Sequence, residues 1–240
     1  MIITLVKRTA LAVFFAAMAS TAHATLIVAP GAAAAVEGDS NNCFPFTCGA
    51  QRYQQVYDSS IFGGATGAIT EIRFRVEDGY SSFINQPFDL LVRLSHTTAT
   101  PATLSTTFAS NIGADETTVL SGNIALSGTG GSGPNPFDIV LDVNDIFTYN
   151  GIGNLLLDIT MFSGIAGPQF DSVQSVGAGL MQRVWSTTGN SSATSGNIAG
   201  DIGLVTQFNI GGTNGIPEPT TLALLGLGLA GLAASRRRKH

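Results

Sequence analysis

A hydrolytic centre in this chain would have to be built on His96. His23 and His240 lie near the two ends, and the remaining histidine directly follows Ser95. A Ser–His–acid arrangement needs three groups converging in space, and no G-x-S-x-G elbow presents a serine for it. The plainer reading puts His96 at the surface or edge of a strand. Glu71 with Glu77, or Asp138 with Asp142, are carboxylate pairs of the kind that glycoside hydrolysis uses. Each pair falls on the polar face of an alternating strand, where charge is expected without catalysis. Asp142-Val143-Asn144-Asp145 offers oxygen ligands to a hard cation but departs from the D-x-[DN]-x-[DN]-G loop, and reads as a strand end followed by a turn. No cluster of His or Cys suits a transition metal. The sequence therefore assigns no catalytic residue, no metal ligand and no cofactor.

Four aromatic residues, Tyr53, Tyr57, Tyr80 and Trp185, have binding chemistry, because aromatic faces cover the apolar faces of sugar rings. Packing in a core or an interface is the plainer reading of them. Cys43 and Cys48 flank Phe-Pro-Phe-Thr, and in an oxidising compartment such a pair closes a local disulfide. The loop is short, so its entropic gain is limited. Gly226-Leu-Gly228-Leu-Ala-Gly231 matches G-x-G-x-x-G, but a dinucleotide site also needs a preceding strand within a βαβ unit and a later acidic residue. Glycine in so apolar a run serves close helix packing instead.

The segments that would position these groups alternate with period two. In Ile69–Glu77, Ile72, Phe74 and Val76 fall on one face, and Glu71, Arg73, Arg75 and Glu77 on the other. This is the pattern of a half-buried antiparallel strand, and Asp78-Gly79 then makes a turn. Phe88–Ser95 repeats it with Phe88, Leu90, Val92 and Leu94 inward. Phe137–Val143 does so with Phe137, Ile139, Leu141 and Val143. Gln51–Tyr57, Thr118–Leu126, Leu180–Trp185 and Leu204–Ile210 supply further strands. Gly153–Met161 is the most hydrophobic and is expected at the centre of a sheet. Ile27–Asn42 reads as a lead-in segment and loop; Thr97–Thr107, with Pro101, reads as a loop or edge strand, and Gly128–Pro136 and Thr187–Gly200 read as loops. About eight to ten short strands with turn chemistry between them predict an all-β antiparallel sandwich, jelly-roll-like, over residues 25–210. No internal repeat marks a solenoid.

The two ends are built differently. Residues 1–24 carry Lys7 and Arg8, an apolar run from Leu11 to Ala19, and Ala22-His23-Ala24, the form of a secretory signal peptide cut after Ala24. That predicts passage through the general secretion machinery and signal peptidase. After the glycine-rich linker 211–215, residues 216–240 read Ile216, Pro217-Glu218-Pro219, an apolar segment, and Arg236-Arg237-Arg238-Lys239. The prolines stop a helix from extending upstream. Residues 221–235, carrying Leu222, Leu224, Leu225, Leu227, Leu229 and Leu232, are predicted to form a helix that is apolar all round and enters the inner membrane. The basic residues hold its end on the cytoplasmic side. From Leu222 to Ala234 such a helix spans roughly 20 Å, short of a hydrocarbon core of about 30 Å, which suits a temporary anchor or sorting signal.

This order of Pro-Glu-Pro, Leu/Gly/Ala segment and basic end resembles the PEP-CTERM sorting signal of Gram-negative bacteria. The resemblance implies that exosortase, a membrane-embedded thiol peptidase, recognises Pro217, Glu218 and Pro219 and processes the chain for the cell surface. Gln51–Asp58, Pro136–Leu141 and Phe147–Asp158 are similar to segments of other PEP-CTERM cargo proteins, a likeness that carries no activity. It implies an address rather than a chemistry.

Composition narrows the rest. Away from the two ends the basic residues are Arg52, Arg73, Arg75, Arg93 and Arg183, with no Lys. No basic patch is available to neutralise phosphates, which excludes nucleic acid as a partner. The expectation is an exported surface or extracellular-matrix protein, of the biofilm type, with no catalysis of its own. A module binding exopolysaccharide is the alternative, and a secreted hydrolase a further one.

Overall fold

The computed structural model describes residues 24–164, 166–174, 179–200 and 202–211. The signal-peptide residues before Ala24, including Ala22, lie outside the described residues, as do Pro217, Glu218, Pro219, the apolar helix and the basic end. Among the described residues no helix is long and apolar enough to cross a membrane.

Those residues form twelve strands: β1 (Thr25–Ala29), β2 (Ser40–Asn42), β3 (Gln51–Tyr57), β4 (Gly67–Phe74), β5 (Phe83–Thr97), β6 (Thr117–Gly128), β7 (Ile139–Tyr149), β8 (Asn154–Met161), β9 (Phe170–Val173), β10 (Met181–Trp185), β11 (Gly203–Leu204) and β12 (Thr206–Ile210). All pair antiparallel. One sheet runs β1-β12-β4-β7, a second β10-β3-β8-β5-β6, and a small third β11-β9-β2. The protein is all-β, as the alternation requires.

The inward faces of the two large sheets share one core. Ile72, Phe74, Leu141 and Phe208 come from the first sheet; Leu90, Val92, Leu157 and Ile159 come from the second; each is shielded completely. Side chains two apart on a strand share a face, so each alternating segment delivers its apolar set to this space. β8 lies at the centre of the five-stranded sheet, as its hydrophobicity predicts. It and β3 are buried on both faces, because a second cluster covers the outer side of this sheet. Val56, Leu156 and Val184 meet Ala99, Leu104, Phe108 and Ala193 from the two loops expected around residues 97–107 and 187–200. Under that cover Asp158 accepts from Arg52 Nη2 at 2.6 Å and Gln54 Nε2 at 2.8 Å, with Arg93 Nη1 at 3.4 Å.

Several expectations need correction. The lead-in segment contains β1, an edge strand on β12, and β2, paired with β9. β9 is a short strand whose Asp171 and Ser172 hide it from a hydrophobicity pattern. β7 continues to Tyr149, so Asp142–Asp145 lies within a strand rather than at its end. Gly211, the first residue of the predicted linker, is still bonded to the sheet. Gly211 donates its N–H to Ala68, and a β-carbon on Gly67 would come within 2.7 Å of Gly211 Cα.

Cys43 and Cys48 form the expected disulfide. The loop between them delivers Phe46 into the core, where its ring lies 5.3, 5.9 and 5.0 Å from those of Phe74, Phe88 and Phe170. The small cysteine loop is thus a plug as well as a clip.

Candidate functional site

His96 ends the inward run of β5 at the rim of the sandwiched core. Its Nδ1 lies 2.5 Å from Asp115 Oδ2, and its Nε2 accepts the Asn150 N–H at 3.1 Å. A nitrogen that accepts a backbone N–H carries no proton, so Nδ1–H donates to Asp115. Phe147 and Tyr149 pack on the ring. Ser95 points to the other face, is buried, and its Oγ accepts the Gly113 N–H. The histidine and an acid meet, but the neighbouring serine is turned away and both ring nitrogens are engaged. The ring instead joins three chain segments. It borders a surface cleft of about 410 Å³ with Thr97, Thr98 and Ile112.

The four aromatic residues do not converge. Tyr53 and Tyr57 are sealed in the core, where their hydroxyls meet Gln55 Oε1 and Thr206 Oγ1. Burial pushes the Tyr53 hydroxyl up to about 12 and the Tyr57 hydroxyl well above its usual range. Tyr80 lines a separate cleft of about 370 Å³ with Phe83, Ser81, Ser82 and Pro168. Trp185 is half-buried and stacks on Phe44, a residue sequence reasoning did not single out, with centroids 5.5 Å apart and planes 23° from parallel. Arg183 lies beneath this pair, its Cζ 4.6 Å from the Trp185 ring and 5.7 Å from the Phe44 ring. It is 5% exposed, it bonds the Tyr53 hydroxyl, and its Nε and Nη1 have no hydrogen-bond partner among the described residues. Burial holds its guanidinium below the usual arginine range.

The carboxylates regroup as well. Glu71 pairs with Arg73 and Asn209 on the sheet surface, and Asp138 accepts the Thr129 N–H. Arg75 and Glu77, assigned by alternation to the solvent face, turn inward beyond the end of β4, where β9 and the segment 30–39 fold over that face. Arg75 is 1% exposed and bonded to Asp171, and its Cζ lies 4.7 Å from the Phe137 ring. Glu77 joins Glu37 and Asp171 in a carboxylate triplet drawn from three distant parts of the chain. No local spacing announces it; the signal that remained in the sequence was a charged pair bracketing Val76.

Residues 215–239 match the model of the PEP-CTERM protein-sorting motif. The tail is a PEP-CTERM sorting signal. Neither a curated protein nor a solved structure matches the chain. The match spans about a tenth of the sequence, so it identifies this PEP-CTERM protein's address and exosortase as its sorting partner. The signal implies export, sorting at the membrane and then the surface. Within the folded part, β12 hands the chain to this signal. Its last residue, Ile210, is held between Thr25 of β1 and Ile69 of β4, and Gly211 is bonded to Ala68. The PEP-CTERM tail therefore leaves from a point anchored on both sides in the four-stranded sheet.

Proposed function

We propose that this chain is an exported surface or extracellular-matrix protein whose jelly-roll β-sandwich is displayed as cargo, without catalysis of its own, after exosortase acts on its tail. The observation that carries the reading is the sorting signal at residues 215–239, joined through Gly211 to a closed all-β domain. The strand order supports the jelly-roll reading. Setting aside β10 and the small sheet, the eight main strands lie in the order first-eighth-third-sixth in one layer and second-seventh-fourth-fifth in the other. The engaged nitrogens of His96 and the buried Ser95 support the non-catalytic reading. The N-terminal segment acts as a signal peptide on this reading, cut after Ala24 ahead of β1.

Intact mass of the protein recovered from outside the cell tests it. A mass beginning at Thr25 and ending near Pro217-Glu218-Pro219 is the expected result. A mass retaining Leu222 to His240 would make the tail a lasting anchor and remove the processing step.

One observation favours a second reading, a binding module for exopolysaccharide. The half-buried Phe44–Trp185 stack offers an aromatic surface at the domain's edge. Glycan-array signals lost in Trp185→Ala would support it; an array without signal would remove it.

A further inference from the structure

Glu37 lies on the strap 30–39 between β1 and β2, Glu77 just beyond β4, and Asp171 on β9. One carboxylate oxygen from each lies within 4.8 Å of those from the other two. Arg75 serves one of them: its Nε donates to Asp171 Oδ2 at 2.5 Å, while its Nη2 donates to the Ala33 and Val36 carbonyls. Asp171 Oδ1 accepts the Gly38 N–H, and Glu37 Oε1 accepts the Asp78 N–H. Asp78 adds a fourth carboxylate nearby, its Oδ1 accepting the Gly133 N–H. Asp39 on the same strap accepts the Gln174 N–H. Glu37 Oε2 and Glu77 Oε2 remain, both closed off from water and both without a hydrogen-bond partner among the described residues.

Two carboxylates held this close repel if both ionise, and the Oε2 of each is a shielded acceptor without a donor among the described residues. A proton on one of them removes the repulsion. We propose that one of Glu37 and Glu77 keeps its proton in neutral solution, a carboxylic acid beside a carboxylate, and that this clasp fastens the strap 30–39 to the end of β4 and releases it in mildly alkaline solution. The electrostatics agree with the geometry. Burial, then the charges of Asp171, Glu37 and Asp78, push Glu77 up to about 8 against the opposing pull of Arg75. Burial likewise raises Glu37 and Asp171.

A proton fits this place better than a hard divalent cation. Calcium takes about six to eight oxygen ligands, whereas here Asp171 Oδ2 is committed to a guanidinium that would repel the ion. The clasp also has a defined sign. A carboxyl raised in the folded state binds more protons folded than unfolded between its ordinary value of 4.5 and about 8. Its stabilisation is therefore complete below the ordinary carboxylate range and is lost as pH rises through the folded value. The device is independent of the sorting route.

The test is thermal unfolding of the exported protein from about pH 5 to about pH 9.5, before and after chelation and with added calcium, beside Glu77→Gln and Glu37→Gln. Either glutamine supplies the missing donor without a titratable proton. Each variant that folds is expected to lose the alkaline fall in Tm that the parent shows over this window. Hydrogen exchange in residues 31–38, corrected for intrinsic rate, should accelerate at alkaline pH in the parent and not in the variants. Equal alkaline slopes in parent and folded variants would overturn the clasp. So would a calcium-dependent rise in the parent's Tm that either variant abolishes, since the two oxygens would then hold a cation. If neither variant folds, an unchanged alkaline exchange rate in the parent strap overturns it, and an accelerated one supports it.

Discussion

Arg75 Nε donates to Asp171 Oδ2 at 2.5 Å between side chains that are 1% and 0% exposed. This bond ties the end of β4 to β9, and so the four-stranded sheet to the small one. The same guanidinium holds the strap through two carbonyls. Removing one member of such a pair leaves the other charge buried and uncompensated. Arg75→Met is expected to cost about 3–5 kcal/mol, and the double change Arg75→Met with Asp171→Leu distinctly less. Denaturant unfolding of the exported proteins measures both.

Arg183 is the opposite case, a buried guanidinium whose neighbours among the described residues are the Phe44 and Trp185 rings and the Tyr53 hydroxyl rather than a carboxylate. Desolvation of a cation without a counter-ion is costly, and the ring contacts offset it only by about 0.5–2 kcal/mol. Arg183→Met should therefore be neutral or stabilising by about 1 kcal/mol, and Trp185→Ala destabilising. Trp185 is the single tryptophan, so its fluorescence follows unfolding in the parent and in Arg183→Met, and circular dichroism follows Trp185→Ala.

Phe46 stands on a loop of sequence separation five between the paired cysteines, yet it touches three rings of the core. Phe46→Ala is expected to cost about 3–5 kcal/mol as a core cavity. Opening the disulfide by Cys43→Ser with Cys48→Ser should cost about 2 kcal/mol, the small figure appropriate to so short a loop. The ranking of the two losses in one denaturation series tests whether the loop acts mainly as plug or as clip.

Replacing Pro217-Glu218-Pro219 by three alanines should leave the Tm of the domain unchanged and abolish processing and surface delivery. The two effects separate because Gly211 already closes the fold upstream of the motif. Thermal melts and surface fractionation read them independently; unaltered delivery would remove the sorting role of the triplet.

How far the sequence could be read follows from the range of the forces involved. Alternation is a local property, so Ile72, Phe74, Leu90, Val92, Ile139 and Leu141 were legible as core positions before any fold was known. β8 stood out because both its faces are buried and its apolar run is continuous. β1, β2 and β9 did not stand out, because an edge or two-sided polar strand is made by its partner rather than by its own pattern.

The sorting address is contained in the sequence alone, because a linear motif followed by an apolar segment and a basic end is recognised in that order, without a folded surface. The character of Arg75, Glu77, Tyr53 and Trp185 was decided only by the tertiary structure. Alternation says which side of a strand a residue takes; it does not say what will cover that side. Here β9 and the strap 30–39 close over the face of Arg75 and Glu77, bring Asp171 and Glu37 to them, and turn expected surface charges into a buried ion pair and a carboxyl cluster. Those partners are brought from remote parts of the chain by strand pairing, and charge in a desolvated space is governed by such neighbours rather than by sequence spacing.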